Sequence, residues 1–423
     1  MKNANLGLTK DTSVLFATFS LWANGKRMPT NGSVEPLRDF LVPRIKKLVL
    51  IDQLVPSSEE VLHKIEVYYY KKHEFIPYKP SWWFLLLKPI LYLRNTNGTH
   101  ISFKIRDFLS IMDWTLRDKT QFDYFIGLES VNTLAGIMLR RLGRVKKVIY
   151  YVSDYSPNRY KNRWFNSLYL VFDRFSAKHA DYIWDVSRAI HPARIKAGLN
   201  RYSAAPVIHV ANGLFPSQIH VTPLNKVIPN SIVFMGTLGP ENGPDVAIRA
   251  LALVRKKFKD ATLHIIGGTE NTFAWLRPII RDYHQTEAVI FHGFVPEAAR
   301  MSKIMTSCAI AVAPYRSISG SPRYYGDAGK IRAYCAAGLP IISSKLPPLG
   351  KEMADQGAAI LANDDEQSFA NAILMVLSDT QTYMRMRKEA IRIAKTNTWE
   401  QQFTRAFNEM QNHRHSNAFR MSV

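Results

Sequence analysis

The chain has 423 residues, 47% of them hydrophobic, and carries 56 Lys and Arg against 34 Asp and Glu, a formal net charge of +22. That length exceeds one ordinary core and predicts two α/β domains, while the composition excludes a disordered or low-complexity protein. Cys308 and Cys335 are the only cysteines, which excludes a disulfide framework and a Cys-rich zinc site and fits a reducing compartment.

The first apolar stretch, SVLFATFSLW, is too short and too broken by polar residues for a signal peptide and reads as a first strand. The loop from Ala23 to Gly32 follows, with Gly25, Lys26 and Arg27, and Ser33 caps a helix through about Leu41. KKLVLIDQL and KIEVYYYK are the next two strands. The segment from Pro80 to Arg94 is too short and interrupted to span a bilayer, which takes about 20 apolar residues. It clusters Trp82, Trp83, Phe84, Leu87 and Tyr92 with flanking Lys88 and Arg94, which suits an interfacial helix on an anionic membrane surface; a buried helix of the first domain is the other reading.

DYFIGLES, KKVIYYVSD and ADYIWDVS are three further strands, each preceded by a helical pattern. Repeated strand–helix units imply a parallel sheet whose ligands sit beyond the carboxyl ends of the strands. The polar, Pro-punctuated run from Val221 to Asn230 is the best linker, dividing residues 1–222 from 223–397. Beyond it the alternation restarts with SIVFMGTLG, ATLHIIGG, AVIFHGFV, CAIAVAPY and LPIISS, and an amphipathic helix closes the chain over about 398–423. The large positive charge calls for an anionic partner, and no zinc-ligand spacing or RNP-like aromatic motif supports nucleic acid, so a membrane surface is expected instead.

The most informative run is APYRSISGSPRYYGDAGKIRAYCAAGLPIISS, Ala313 to Ser344. A glycine-containing loop feeds a helix N-terminus, whose unpaired N–H groups and positive dipole end suit a diphosphate, and Lys330 adds a cation there. Gly236 and Thr237 follow a strand and precede a helix, where a glycine admits close approach of a phosphate or sugar, or simply makes a tight turn. In order, IVFMGTLGPENGPDVAIRAL, LHIIGG, FHGFVPEAARMSKIMTSCAIAVAPY, GLPII and NTWEQQF resemble the nucleotide-binding domain of GT-B glycosyltransferases, and among them group 1, or family 4.

This resemblance implies an α/β fold of two Rossmann-like domains facing a cleft, with the last helix crossing back to the first domain. It implies a nucleotide-diphosphate sugar donor, UDP- or GDP-linked, with no further cofactor and no metal. In this reading Lys330, with Gly329 and the helix N-terminus, holds the diphosphate; His292 and Val295 lie at the nucleotide base; and Tyr315 stacks on the donor or lines its rim. Asp327 orients Lys330, holds a sugar hydroxyl, or caps the loop. The family's paired glutamates, E-x7-E, fall here on Tyr325 and Ala333. Xanthan-type glucuronosyltransferases lack that pair too, and resemble this chain in the Lys before G-L-P and in a Ser-Asp pair at the equivalent of Ser153-Asp154.

On the acceptor side, Asp154 stands just past the strand KKVIYYVS, where a base for the acceptor hydroxyl is needed, and Glu129 in GLES is the backup; helix capping is the alternative for both. A base acting directly would invert the anomeric centre. Lys26 and Arg27 suit an acceptor bearing phosphate, such as a polyprenyl-diphosphate sugar. The expected protein is therefore a cytoplasmic glycosyltransferase of polysaccharide or glycoconjugate synthesis, peripheral on the inner face of the plasma membrane, acting on a glycan or lipid-linked acceptor. A catalytically silent relative that scaffolds an assembly is the second reading.

Overall fold

The computed structural model describes residues 6–28, 32–58, 62–69, 72–91 and 101–421. They fall into two compact units, Met1–Asn212 with Gln402–Val423, and Gly213–Gln401.

In the first unit the strands are β1 (Ser13–Ala23), β2 (Lys26–Met28), β3 (Lys47–Leu54), β4 (Lys64–Tyr69), β5 (Lys72–Pro77), β6 (Phe122–Leu128), β7 (Val145–Val152), β8 (Tyr182–Asp185) and β9 (Val207–His209). Its helices are α1 (Val34–Leu41), α2 (Trp82–Leu91), α3 (Ile101–Arg117), α4 (Ser130–Arg141), α5 (Arg163–His179) and α6 (Ile190–Lys196). The sheet order is β5-β4-β3-β1-β6-β7-β8-β9, with β2 paired to β1. From β3 through β9 the ladder is parallel, and its central strands are continuous apolar runs because both faces are covered. Val14, Leu15, Phe16 and Ala17 of β1 are fully buried.

The parallel expectation fails at one edge. The short link between β3 and β4 permits only a hairpin, so β3–β4 and β4–β5 pair antiparallel. The chain order reverses between β1 and β6, the switch point where open α/β sheets leave a crevice.

The second unit contains β10 (Ser231–Met235), α7 (Pro244–Val254), β11 (Thr262–Ile266), α8 (Glu270–Phe273), α9 (Leu276–Asp282), β12 (Val289–Gly293) and α10 (Ala298–Ser307). It continues with β13 (Ile310–Ala313), α11 (Gly329–Ala336), β14 (Ile341–Ser344), α12 (Pro348–Asp355), β15 (Ala359–Ala362), α13 (Glu366–Ser378) and α14 (Thr380–Thr396). The sheet is parallel throughout, in the order β12-β11-β10-β13-β14-β15, with its switch point between β10 and β13. The run from Val221 to Asn230 belongs to this unit: the Thr222 carbonyl accepts from Arg387, and the Ile228 N–H donates to the Ser307 carbonyl at 2.8 Å.

The last helix, α15 (Trp399–Met421), passes from the second unit into the first. Phe403, Ala406, Phe407 and Met410 form one helical stripe and are fully buried. Phe407 stacks on Phe40 at 5.9 Å and meets Trp184 edge-on at 5.3 Å.

Candidate active site

At the carboxyl edge of the second unit's sheet, three neighbouring strands end in glycines with positive φ: Gly236 (136°) after β10, Gly267 (115°) and Gly268 (75°) after β11, and Gly293 (68°) closing β12. The Gly236 N–H donates to Ile266 O at 2.9 Å and the Gly267 N–H to Gly293 O at 2.7 Å. A Cβ on Gly267 would stand 2.3 Å from the Gly236 oxygen, so these turns pack backbone on backbone. Gly267-Gly268 closes the apolar run ATLHII and so carries the same local signal as Gly236.

Lys330, in the first turn of α11, reaches this edge. Its stem is half-buried, but Nζ is sealed from solvent and has no hydrogen-bond partner among the described residues. Nζ lies 4.4 Å from the Phe234 ring centroid and 4.3 Å from that of Tyr315, and a Cβ on Gly236 would come 3.3 Å from it. The structure thus brings Gly236, Tyr315 and Lys330 together across the switch point. Burial pushes the Lys330 amine down to about 7, the neighbouring Arg323 pushes the same way, and Glu241 opposes them. Arg323 sits 5.4 Å from the Tyr315 ring, so two cations flank one aromatic. Ala328 gives α11 no capping side chain, and an added Cβ on Gly329 would meet only open space. A sealed amine without a partner among the described residues, beside a second cation and a helix start with no capping side chain, makes this corner of the sheet electropositive.

The other expected donor residues separate. Thr237 is exposed, and its Oγ1 accepts from Asn242 at 2.6 Å. The Val295 side chain is buried in the core, so only its backbone is left for a ligand, while Phe294 beside it is 73% exposed. His292 Nε2 lies 3.0 Å from His264 Nδ1 with the rings nearly parallel. Burial holds both imidazoles below their usual range, His264 at about 4, which makes this a strand-to-strand contact. Asp327 accepts from Arg332 Nε at 2.7 Å and Nη2 at 2.5 Å, and both are buried. The Asp327 carboxylate therefore braces the loop into α11, and Arg332 is spent on the same fork.

In the first unit, Glu129 stands between β6 and α4 at φ 70°, ψ 165°, a region that side chains other than glycine enter only under strain of about 1–3 kcal/mol. Although it occupies the N-cap position, its side chain makes no capping bond. Its Oε1 is buried without a hydrogen-bond partner among the described residues. Arg159 Nη1 lies 3.6 Å from Glu129 Oε2 and 3.6 Å from Asp154 Oδ2. Burial raises the Glu129 carboxyl above the usual range, Arg159 opposes, and Asp154 adds to the rise. Asp154 keeps 55% of its side chain exposed, and the helix after it is capped by Asn162 instead. The two carboxylates differ in setting: Glu129 is buried, and Asp154 stands at the rim. Arg159, which joins them, was not singled out; it lies five residues past Asp154 with nothing local to mark it.

Glu129 and Arg159 also line a cavity of about 440 Å³ whose other walls are mostly apolar and come from α3, α4 and α5, with Phe19 of β1 and Leu54 at the end of β3. This is the crevice at the β1/β6 switch point.

One expectation is overturned, and another loses a single residue, Phe84. Gly25, Lys26 and Arg27 do not form a phosphate loop: Asn24 (φ 51°) and Gly25 (φ 68°) make a two-residue hairpin turn that folds β2 back on β1. Arg27 is then buried against Asp52, at 2.7 Å, and also pairs with Glu66 and Glu35, so that of the two cations Lys26 is the exposed one. In α2, Phe84 is 1% exposed and belongs to the core, and Trp83 is half-buried. Trp82 (75%), Leu86 (70%) and Ile90 (61%) form the exposed face with Leu85 and Leu87. Tyr92 lies outside the described residues. Among the described residues no helix is long and apolar enough to cross a membrane.

Comparison with known proteins bears on these geometries. Residues 229–379 match the family described as Glycosyl transferases group 1. The second half of the chain resembles that family. A segment of 173 residues is 32% identical to D-inositol 3-phosphate glycosyltransferase of Jonesia denitrificans and spans 40% of this chain and 40% of the length of that curated relative. Among solved structures, sucrose-phosphate synthase of Thermosynechococcus elongatus superposes with a TM-score of 0.63 at 13% identity, covering 96% of this chain and 99% of that one. Anabaena HepE in complex with UDP gives a TM-score of 0.63 at 17% identity, covering 96% and 100%. The α/β fold, with its parallel sheets and the last helix returning to the first unit, is therefore that of the GT-B glycosyltransferases across nearly the whole chain.

Proposed function

We propose that this protein is a glycosyltransferase that moves a sugar from a nucleotide diphosphate to an acceptor hydroxyl in glycoconjugate or polysaccharide synthesis. The observation that carries the reading is Lys330: a sealed, unpaired amine between two rings, beside the Gly236 turn, within the family-matched segment. Support comes from the UDP bound by HepE and from the activity named for the Jonesia relative. The donor is UDP- or GDP-linked, with its diphosphate at Lys330, Arg323 and the α11 N-terminus, and its base along the backbone of Val295.

In the proposed reaction Glu129 takes the proton of the acceptor hydroxyl. The oxygen forms a bond to the anomeric carbon, the bond from that carbon to the diphosphate breaks, and the electron pair leaves with the diphosphate. Lys330 and Arg323 stabilise the departing charge. Direct displacement inverts the anomeric centre. Arg159 positions Glu129 and Asp154. The exposed face of α2, with the net charge of +22, seats the protein on an anionic membrane surface, where a lipid-linked acceptor is found.

A panel of UDP- and GDP-sugars tests the reading, comparing wild type with Lys330→Ala for binding and Glu129→Gln for transfer in a membrane extract. One donor should bind, lose affinity in Lys330→Ala, and be transferred by wild type but not by Glu129→Gln. No donor binding by wild type would sink the proposal. The missing glutamates at positions 325 and 333 favour a silent scaffold as the second reading, which stands if a donor binds and nothing turns over.

A further inference from the structure

The first-unit cavity has a chemistry that the glycosyltransferase reading does not by itself require. Phe108, Val131, Leu134, Phe165, Leu168 and Phe172 give it a hydrocarbon wall from three helices, and its volume of about 440 Å³ lies in the range of small-ligand pockets. A sugar chain would leave its hydroxyls unpaired against that wall, at a cost for each one. Among the polar lining groups Glu129 has an unpartnered Oε1, Arg159 lies 3.6 Å from its Oε2, and Lys104, its ammonium 5.6 Å from the Phe19 ring, adds a second positive charge, while Arg106 and Asp107 pair with each other at 2.7 Å. One carboxylate short of a donor, in a cavity whose wall is mostly apolar, suits a ligand with a hydroxyl attached to hydrocarbon.

We propose that the acceptor is amphipathic, with a hydroxyl turned to the Glu129 carboxylate and a single hydrocarbon chain lying between α3, α4 and α5. The assignment rests on the glycosyltransferase reading for the hydroxyl's fate, though not for the cavity's ligand. It separates the two roles of apolar surface in this unit: α2 meets the membrane with its exposed face, and the cavity takes one chain out of it. The acceptor is supplied by a reaction that leaves a free hydroxyl on a lipid or lipid-like alcohol.

The test uses the full-length protein and straight-chain primary alcohols from 1-butanol to 1-octanol, measured by displacement of the fluorescent probe 1-anilinonaphthalene-8-sulfonate. UDP-glucose binding is followed in parallel. Affinity should rise about fourfold per methylene until the cavity is filled, the value expected for a buried CH2. Leu134→Trp and Leu168→Trp each fill the cavity from a different helix and should abolish that dependence, lowering octanol affinity at least tenfold while leaving UDP-glucose affinity and the circular dichroism spectrum unchanged. Equal affinity for butanol and octanol would overturn the proposal. So would a chain-length dependence that survives both substitutions, since the alcohols would then be bound elsewhere, such as on α2. Failure of wild type to bind any UDP- or GDP-sugar, with the alcohol series intact, would remove the donor reading and leave the cavity assignment standing.

Discussion

Donor binding should depend on pH through Lys330, and the structure sets both the sign and the size. The free amine sits at about 7 because its burial and Arg323 disfavour the charge. A bound diphosphate favours the ammonium, so binding above pH 7 draws a proton from solvent. At pH 6 about nine-tenths of the free protein carries the charge, and at pH 9 about 1% does. Affinity is therefore full below pH 7 and weakens about tenfold per unit above it, close to 100-fold between pH 6 and 9, or about 2.7 kcal/mol. UDP-glucose is the right probe because its diphosphate is a diester with no titration in this range. Calorimetry in buffers of differing ionisation heat should register uptake of about one proton at pH 8.5. Lys330→Met should bind weakly at every pH, and the wild-type curve should approach it at the alkaline end. A wild-type affinity flat from pH 6 to 9, or an equal slope in Lys330→Met, would refute the reasoning.

Glu129→Gln should lower the transfer rate by about 10²- to 10⁴-fold with donor affinity unchanged, and the acidic limb of the wild-type pH–rate profile should lie above the usual carboxylate range because burial raises this group. Asp154→Asn should cost less than Glu129→Gln; the opposite order in steady-state kinetics would return the base to Asp154. Arg27→Met should destabilise the first unit by about 3–5 kcal/mol in urea unfolding, by stranding the buried Asp52 and Glu66, yet leave UDP-glucose binding intact. Gly236→Ala should weaken donor binding by strain at φ 136° and by crowding Lys330 Nζ, whereas Gly143→Ala, at a turn with open space around it, should leave binding unchanged. Replacing Trp82, Leu86 and Ile90 together by Ser should lower cosedimentation with anionic vesicles without a change in donor affinity.

Much of the second unit could be read from local patterns. Apolar runs of strand length separated by helical periodicity define a parallel sheet, and glycines at strand ends mark where a backbone turns or a ligand approaches. Lys330 was legible because it lies eight residues before Gly338 at a helix start, and all of that information is contiguous in sequence. The N-G turn at Asn24-Gly25 is equally local, whereas the burial of Arg27 that follows from the hairpin is not.

What only the tertiary structure decided are the pairings between distant residues. Arg27 meets Asp52 and Glu66, which belong to other strands, and nothing near Arg27 announces those carboxylates. Phe84 and Trp82 are alike in sequence, but the face that α2 turns to the core buries one and exposes the other. Glu129 and Asp154 each follow a strand, and local pattern puts Asp154 first with Glu129 as the backup; the fold strains and buries Glu129, leaves Asp154 half in water, and brings Arg159 between them. The apolar cavity needs three helices to exist at all. Local chemistry determines where the chain turns and what element it forms, while desolvation and charge depend on which distant side chains close over a group. Those are the quantities that choose a base, an anion site and an acceptor.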